Sequence, residues 1–479
     1  MIDIALINWK TEFSEDSAQR NFEQSARYRG GILEYVDQFL REPPTGLMLL
    51  AQILEKKGYS VEIIDCTILE DPIGYLKYQA LKYRFVGLTA LTNTFSAVME
   101  LASIMKNTNP NLFLTLGGPH VSFEYQRILI KYPFVDMIFV GEAENSLPWV
   151  VDQLLIKPYI DFVYDNETHL LSQSLNSKEL LFQRINQTPS KPKGITFLDQ
   201  SPTDDGVRQV IYSGFPEPTN LDQLPLPARH LISRVYSVAD IIVNRGCPNQ
   251  CSFCSRTKLF PKMRIRSVEQ VMQEVDYILS GSTYRFINFY DNININHKYF
   301  NYFLDELITR EKMLPWGAEL RADVITTEEA HKVRQSNGKL IATGIESASP
   351  EVLRTNFKFQ NPDKVAEGIH IMKNAGIAIQ AYFVIGLPGD TPERFQQTLE
   401  FAEKLPFEKG IDHVNFFVTT PYPGSDLVLH PEKYGITVIN TDYDQFNCHE
   451  VLMETETLNK SQILEMITKA NALKKKLGI

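Results

Sequence analysis

The sequence predicts an α/β protein with two βα domains, a connecting segment and a short tail. A length of 479 residues corresponds to about two to four domains. Short apolar segments of strand type alternate with segments of helical type in two separate stretches, the pattern of parallel sheets covered by helices. The second stretch holds six such units, too few for a closed eight-unit barrel, so we expect a partial, curved six-unit barrel.

We divide the chain into four segments on this basis. They are a doubly wound domain over 1–155, a linker with a hairpin over 156–235, the partial barrel over 236–430, and a C-terminal tail with a helix over 431–479.

Composition narrows the class of protein. Apolar residues make up 43% and charged residues 22%, which are ordinary globular values. The formal net charge of -10 argues against a general nucleic-acid-binding protein, which needs a basic face to displace counterions. No apolar run reaches the roughly 18 residues that span a bilayer, and the first residues lack the basic region of a signal peptide. We therefore expect a cytoplasmic protein that binds neither nucleic acid nor membrane.

The N-terminal domain is predicted from five strands alternating with helices. The strands are expected at 1–8, 60–65, 85–89, 112–118 and 136–141, and helices at 44–57 and 97–106. Ligands of doubly wound sheets bind beyond the carboxyl ends of the strands. Small or polar residues follow these ends and are candidate ligand contacts: Thr89, Leu91, Thr92, Gly117, Gly118, His120, Ser122, Gly141 and Glu142. Tight turns at the strand ends are the alternative explanation.

The segment 156–235 has a different composition, rich in Ser, Asn, Lys and Pro. Residues 193–210 have the pattern of a hairpin around Asp204-Asp205-Gly206. Four prolines then interrupt residues 216–227. We expect this segment to cross between the domains.

The partial barrel is predicted from a second set of strands and helices. The strands are expected at 240–243, 286–290, 316–320, 340–345, 379–385 and 414–418. The helices between them include 267–280, 327–336, 362–375 and 392–405, and the tail ends in a helix over about 460–477.

Three of the five cysteines lie within eight residues, directly after the first barrel strand: Cys247, Cys251 and Cys254. A structural zinc site takes four protein ligands, commonly as two CxxC pairs, and the sequence has no second pair. Three thiolates instead leave one iron of a four-iron cluster open. Zinc stays the alternative, whereas a disulfide would leave one thiol over and conflict with a reducing cytosol. We expect Cys66 and Cys448 to be inert.

The spacing C-x3-C-x2-C, with Phe253 before the third cysteine, resembles the radical S-adenosylmethionine (SAM) family. Further segments resemble that family's strand ends in the expected order: 289–292, 319–323, 344–349 and 384–391. Tyr290 and Ile293 depart from the usual Asp-Asp-Asn-Phe, and Ala348 stands where glycine is usual. The resemblance covers about residues 240–425 and implies a partial, TIM-like (β/α)6 barrel.

This resemblance implies roles for the candidate residues. The three cysteines would hold a [4Fe-4S] cluster whose open iron binds the amino and carboxylate groups of SAM. The implied SAM contacts are Phe253, Asp291, Asn292, Arg321, Glu346, Ser347, Gly386 and Pro388. Glu346 would accept hydrogen bonds from the ribose, and Arg321 would pair with the methionine carboxylate. The alternatives are a structural ion pair for Glu346 and Arg321, and helix capping for Asp291 and Asn292.

The N-terminal strand ends resemble the cobalamin-binding, Rossmann-like domain that often precedes a radical SAM barrel. The resemblance rests on residues 43–47, 88–92, 117–120 and 141–144. It implies that small residues let the backbone approach a corrin, while Thr89, Thr92 and Ser122 bond its nucleotide tail or amide side chains. The cobalt-ligating motif Asp-x-His-x-x-Gly is absent, so we predict base-off cobalamin without a histidine ligand, with His120 a loop histidine near the tail and not a cobalt ligand. The alternatives are a dinucleotide site, which lacks its Gly-x-Gly-x-x-Gly motif here, and a domain that binds no corrin.

The two resemblances together imply a methyltransferase. It would cleave SAM reductively to a 5′-deoxyadenosyl radical and move a methyl group, through methylcobalamin, to an unactivated carbon of a natural-product or peptide substrate. An external electron donor such as flavodoxin or ferredoxin would reduce the cluster. The alternatives are a cobalamin-dependent radical SAM cyclase or rearrangement enzyme, and a non-enzymatic cobalamin-responsive binding protein.

Overall fold

The structure, a computed structural model, describes residues 4–9, 43–156, 177–199, 208–232, 236–281, 284–290 and 292–478. These residues divide into two compact units, whose main parts are Gly46–Thr219 and Arg234–Ile479. In the described part of the chain, no helix is both long and apolar enough to cross a membrane.

The first unit is built on one mixed sheet. Its strands are β1 (Ile4–Asn8), β2 (Val61–Asp65), β3 (Phe85–Thr89), β4 (Phe113–Gly117), β5 (Met137–Phe139), β6 (Ile195–Leu198) and β7 (Val210–Tyr212). Its helices are α1 (Thr45–Lys56), α2 (Pro72–Gln79), α3 (Phe95–Thr108), α4 (Pro119–Lys131), α5 (Ser146–Val151) and α6 (Ser177–Gln187). The strand order is β2-β1-β3-β4-β5-β6-β7, parallel from β2 to β5 and antiparallel beyond. The predicted doubly wound α/β class is confirmed.

The order of the parallel strands brings the predicted ligand-binding loops to one edge. The order reverses between β1 and β3, which is the position where doubly wound sheets bind ligands. In register, Asn8 pairs with Thr89, and Thr89 pairs with Gly117. The strand ends expected to face a cofactor are therefore neighbours.

The segment expected to be only a linker contributes to the first unit. Strand β6 lies within the segment 193–210 that was expected to form a hairpin, whereas β7 begins at its last residue, Val210, and continues to Tyr212. The two strands pair antiparallel and extend the sheet past β5. The expected turn, 204–206, lies outside the described residues. Helix α6 adds Leu181, Phe182 and Ile185 to the core of this unit. All four residues of β6 are buried, and such a strand needs cover on both faces. This unit therefore continues past residue 155, where the sequence reading ended the domain.

The second unit is built on six parallel strands. They are β8 (Val238–Ile242), β11 (Phe286–Tyr290), β12 (Trp316–Glu319), β13 (Gly338–Glu346), β14 (Ala378–Ile385) and β15 (His413–Val418). Two short antiparallel pairs join β9 (Asn244–Arg245) to β10 (Arg264–Ile265), and β16 (Ile436–Val438) to β17 (Met453–Thr455). The six strands are neighbours in chain order, as predicted for the partial barrel.

Helices lie between these strands and after them. They are α7 (Arg256–Leu259), α8 (Val268–Gly281), α9 (His297–Ile308), α10 (Thr327–Gln335), α11 (Pro350–Thr355), α12 (Pro362–Asn374), α13 (Pro392–Lys404), α14 (Asp426–Leu429), α15 (Pro431–Tyr434) and α16 (Lys460–Leu477). The final helix has the bounds predicted for it. Its residues Ile463, Met466, Ala470 and Leu473 are buried in the main core of the unit, so the tail helix helps to complete the barrel domain.

Candidate functional site

The cysteine loop, residues 247–254, follows β9 and is anchored at its centre by Ser252. The backbone N–H of Ser252 donates to the carbonyl of Asn356 (3.0 Å), and its hydroxyl donates to Asn356 Oδ1 (2.6 Å). The amide of Asn356 in turn donates to the carbonyls of Val352 (2.8 Å) and Pro388 (2.9 Å). These bonds tie the loop to the segments that follow β13 and β14.

The three clustered cysteines line one cavity with residues from the carboxyl ends of β12 and β13 and with Tyr382 of β14. The cavity volume is about 210 Å³. The predicted residues on its wall are Cys247, Cys251, Phe253, Cys254, Asn292, Arg321 and Glu346. The structure therefore brings together residues that are up to 99 positions apart in the chain.

The thiols suit an iron–sulfur cluster by their chemistry. All five cysteines of the chain are described, and none is in a disulfide. Burial raises the pKa of Cys251 to about 12 and also raises the pKa of Cys254, while the positive charge of Lys358 partly opposes the rise at Cys251. Within the described residues, no group of three or more His, Cys, Asp or Glu side chains is arranged to hold a single metal ion. Three soft sulfur donors on one wall match the three-cysteine ligation of a four-iron cluster.

Glu346 is aimed by an unusual backbone at the end of β13. Its φ is +64°, in the left-handed region that non-glycine residues rarely adopt. The pairing of β13 with β14 shifts register between Gly344 and Glu346, as expected for a bulge that re-aims a side chain. Glu346 Oε1 accepts a 2.7 Å bond from Lys358 Nζ. A methyl group added at Gly344 would overlap the Glu346 carboxylate and lie 3.1 Å from Lys358 Nζ.

Arg321 lines the cavity but has its charge engaged by a neighbour. Its Nε and one terminal nitrogen donate to the two carboxylate oxygens of Asp323, at 2.9 and 2.6 Å. It also donates to the Phe359 carbonyl at 2.7 Å and to Asn249 Oδ1 at 3.4 Å. Arg321 and Glu346 are therefore each in an ion pair, but with Asp323 and Lys358 as the respective partners and not with each other.

Three other predicted SAM contacts are held by neighbouring segments. Ser347 Oγ is buried, 3.2 Å from Thr398 Oγ1. Gly386 has a φ of +78°, and a methyl group there would lie 3.4 Å from the Ile463 side chain of α16. The Pro388 carbonyl accepts the Asn356 amide, as described above. These residues therefore support the strand ends through protein contacts.

Asn292 does not cap the helix that follows. Its side chain makes no capping hydrogen bond, whereas α9 is capped by Asn296, whose side chain accepts from the N–H of Tyr299. The capping explanation for Asn292 is thus wrong. Asp291 lies outside the described residues.

Two glycines allow the N-terminal strand ends to approach each other and to remain open. Gly118 has a φ of +107°, and a methyl group there would lie 2.9 Å from the Ala90 carbonyl and 3.1 Å from Thr89 Oγ1. No heavy atom lies within 4 Å of the position of a methyl group at Gly117. Leu91 is 42% exposed. Open backbone at this edge suits the approach of a large, flat ligand.

Ser122 links two of these loops. Its hydroxyl donates to the Gly118 carbonyl (2.8 Å) and accepts from the backbone N–H of Gly141 (2.9 Å). Glu142 accepts from the N–H of Thr219 at 3.1 Å. Both side chains hold the loop ends in place.

The prediction that His120 is a loop histidine is wrong. It lies in the first turn of α4, because Pro119 occupies the position at which proline starts helices readily. It is 1% exposed, with Nδ1 3.3 Å from Thr92 Oγ1 and its ring centroid 4.4 Å from that of Phe95. Burial lowers the pKa of His120 to about 4, so the ring is neutral at pH 7.

Sequence reasoning missed Lys358, Asn356 and Tyr382. Lys358 and Tyr382 line the cavity, and Asn356 anchors the cysteine loop. None belongs to a motif with a fixed spacing. The one usable signal is the polar pair Asn356 and Lys358 in a short segment between two helical patterns.

Two protein-family models match the chain. The radical SAM superfamily model matches residues 241–402, and the B12 binding domain model matches residues 40–151.

Two curated proteins illustrate the similarity in sequence. A methyltransferase of Pyrococcus horikoshii, named as uncharacterized, is 26% identical over 441 residues, which are 89% of this chain and 86% of that protein. The anaerobic magnesium-protoporphyrin IX monomethyl ester cyclase of Rubrivivax gelatinosus is 27% identical over 439 residues, 89% of this chain and 72% of that protein.

A solved structure shares the fold. The radical SAM methyltransferase TsrM of Kitasatospora setae, with cobalamin and a [4Fe-4S] cluster bound, superposes with a TM-score of 0.66 at 13% identity. The match covers 99% of this chain and 91% of TsrM.

Proposed function

Because the chain is a cobalamin-dependent radical SAM enzyme, we propose that it transfers a methyl group from SAM to an unactivated carbon of a natural-product or peptide substrate. The observation that carries the proposal is the single cavity lined by Cys247, Cys251, Cys254 and the aimed carboxylate of Glu346. Similarity to a protein named as a methyltransferase over 89% of the chain supports this reaction.

The proposed reaction consumes two molecules of SAM and two electrons for each methyl group transferred. One SAM gives up its methyl group and leaves as S-adenosylhomocysteine, with the electron pair of the broken S–CH3 bond on sulfur. The other accepts one electron, breaks its C5′–S bond and gives methionine and a 5′-deoxyadenosyl radical. That radical removes a hydrogen atom from the substrate carbon and becomes 5′-deoxyadenosine. The methyl group leaves SAM without the electrons of its bond to sulfur. Its new bond to carbon therefore takes the unpaired electron of the substrate radical and the second electron supplied by the reductant.

The chain's own residues have separate tasks in this proposal. The three cysteines would hold a four-iron cluster through three of its irons, which would leave the fourth iron for SAM. Glu346 accepts hydrogen bonds from the ribose hydroxyls, and Phe253, on the same wall, packs against the adenine. When bound, the cluster passes single electrons to SAM and the corrin carries the methyl group.

The carboxyl edge of the first sheet is the proposed corrin site. Leu91, which is 42% exposed, and Gly117, which has open space beside it, leave this edge accessible, whereas Ser122 and Glu142 maintain its shape. Thr89 stays a proposed contact to the corrin. We also propose that the corrin binds base-off and without a histidine ligand to cobalt; the burial of His120 in α4, against Thr92 and Phe95, supports the absence of that ligand.

The proposal is tested by product analysis under anaerobic conditions. The protein, loaded with cluster and cobalamin, is incubated with methyl-deuterated SAM and titanium(III) citrate, and the products are measured by mass spectrometry. We expect both S-adenosylhomocysteine and 5′-deoxyadenosine from the native chain. In Cys251→Ala, 5′-deoxyadenosine should be lost. Formation of 5′-deoxyadenosine without S-adenosylhomocysteine excludes methyl transfer.

A second candidate function is cyclisation or rearrangement without methyl transfer. It is favoured by the similarity to the magnesium-protoporphyrin cyclase, which covers 89% of the chain, the same share as the methyltransferase. Both functions need a one-electron reductant, for which flavodoxin or ferredoxin is the proposed donor. The ratio of the two SAM-derived products separates the candidates.

A further inference from the structure

Lys358 lies on the wall of the cluster cavity and is fixed beside the cysteine loop. The two residues before it contact that loop, because Asn356 bonds Ser252 as described above and the Phe357 carbonyl lies 3.8 Å from Cys251 Sγ. Lys358 Nζ then donates to Glu346 Oε1 at 2.7 Å. One short segment therefore connects a predicted cluster ligand to a predicted SAM contact.

The Lys358–Glu346 pair is largely withdrawn from water. The two side chains are only 15% and 10% exposed. At such burial, removal of one partner leaves an uncompensated charge, which is far more costly than the loss of a surface ion pair. Arg321, also on this wall, directs its charge to Asp323 at 2.6 Å. Lys358 is thus the cation bonded to Glu346.

We propose that Lys358 is a positioning residue that holds the Glu346 carboxylate in its aimed conformation and offsets its negative charge beside the cluster. The net charge around an iron–sulfur cluster helps to set its reduction potential. A reduced cluster carries one more negative charge, so an uncompensated carboxylate nearby disfavours reduction. Loss of Lys358 lowers the potential, and loss of the Glu346 charge raises it.

The test is a redox titration of the cluster, followed by electron paramagnetic resonance, in the holoenzyme without substrate. The variants are Lys358→Met, Lys358→Arg, Glu346→Gln and the double variant Lys358→Met/Glu346→Gln. We expect Lys358→Met to disfavour reduction about ten-fold, which is about 59 mV for a one-electron couple. Glu346→Gln should shift the potential upward, and the double variant should return towards the native value. Lys358→Arg should stay close to the native value.

A buried lysine elsewhere in the same unit provides a matched control. Lys373 is 7% exposed and pairs with Asp412 at 2.7 Å, and it is not among the residues of the cavity wall. Lys373→Met should leave the cluster potential unchanged. This separates a local charge effect from a general effect of removing a buried cation.

SAM binding provides a second readout. Equilibrium dialysis with labelled SAM should show at least a ten-fold weaker affinity in Lys358→Met and partial rescue in Lys358→Arg. A purely structural role would lower the iron content without opposite shifts in potential. The proposal is overturned if Lys358→Met and Glu346→Gln shift the potential in the same direction, or if neither shifts it.

The proposal can still be tested if one of the variants does not retain its cluster. If Lys358→Met fails to retain iron, Glu346→Gln decides the question, since an unchanged or lower potential in that variant overturns the proposal. The titration contains no substrate. Its result is therefore independent of whether methyl transfer or cyclisation is the reaction.

Discussion

The hydrogen bonds of Asn356 give the sharpest prediction about how the cysteine loop is held. Asn356→Ala removes the acceptor of the Ser252 hydroxyl and the donor to the Pro388 carbonyl. Both Ser252 and Asn356 are 0% exposed. The carbonyl of Val352 keeps a bond from the Asn356 backbone N–H at 3.1 Å, so two polar groups lose their partner.

The expected magnitude follows from the number of groups left without a partner. Each buried polar group left unsatisfied costs about 1–3 kcal/mol, so Asn356→Ala should cost roughly 2–6 kcal/mol of local stability. Ser252→Ala leaves only Asn356 Oδ1 unsatisfied and should cost about 1–3 kcal/mol. The order of the two variants is therefore fixed by the structure.

Hydrogen–deuterium exchange measures this cost where it arises. Peptides covering residues 247–259 and 353–360 should exchange at least about 30-fold faster in Asn356→Ala, since 1.4 kcal/mol corresponds to a factor of ten. Asn440→Ala is the control, because its amide bonds Gln445 in a partly exposed turn. Equal protection in Asn356→Ala and the native chain, or a larger effect from Ser252→Ala, would show that the Asn356 side chain does not hold the cysteine loop.

Four further predictions concern residues of the two sites. Gly344→Ala should weaken SAM binding about ten-fold, a loss of about 1.4 kcal/mol, because the added methyl group displaces the Glu346 carboxylate; calorimetry measures the affinity. Gly118→Ala should destabilise the first unit, because its φ of +107° strains any side chain. Gly117→Ala should leave thermal stability unchanged and weaken cobalamin binding, since its methyl group enters open space. In the native chain, the lowered pKa of His120, about 4, makes stability rise with pH between about 4 and 6.5, by up to roughly 3 kcal/mol, and His120→Gln should flatten that rise.

The predictions for Gly344, Gly117 and His120 have the following controls and contrary outcomes. The control for Gly344→Ala is Gly281→Ala, because no heavy atom lies within 4 Å of a methyl group added at Gly281; this variant should leave SAM affinity unchanged. Native SAM affinity in Gly344→Ala would show that the position of the Glu346 carboxylate does not determine SAM binding. Equal cobalamin binding in Gly117→Ala and the native chain would argue against a corrin at that edge. For His120 the test is the direction of the change in stability with pH. The unfolded chain binds the proton at a higher pH than the folded chain does, so the free energy of unfolding must fall as the pH falls from about 6.5 to 4. Identical pH profiles of the native chain and His120→Gln would show that this histidine is not responsible.

The βα architecture is predictable from the sequence because its strands are short, apolar and separated by helical patterns. The final helix, Lys460–Leu477, is predicted with its observed bounds since Asn459 and Gly478 mark its ends. The role of β6 and β7 is not predictable in the same way. Pairing with the edge of β5 depends on a strand far away in the chain, and the polar composition around the hairpin suggests a linker instead.

The residues of the site also differ in whether the sequence identifies them as candidates. The cysteines and Glu346 stand in motifs with a fixed spacing, so the sequence identifies them. Lys358 and Asn356 act through bonds to residues 12 and 104 positions away, which no local pattern encodes. His120 was misplaced because the Gly-Pro-His sequence reads as a turn, although proline in the first turn of a helix is favourable.

The central claim is that one loop holds a four-iron cluster with an iron open to SAM. Metal analysis and electron paramagnetic resonance of the anaerobically purified, reduced protein, with and without SAM, test it most directly. We expect about four irons per chain, a cluster signal that changes when SAM is added, and loss of that signal in Cys251→Ala. One zinc and no iron, or a cluster signal unaffected by SAM, would contradict it.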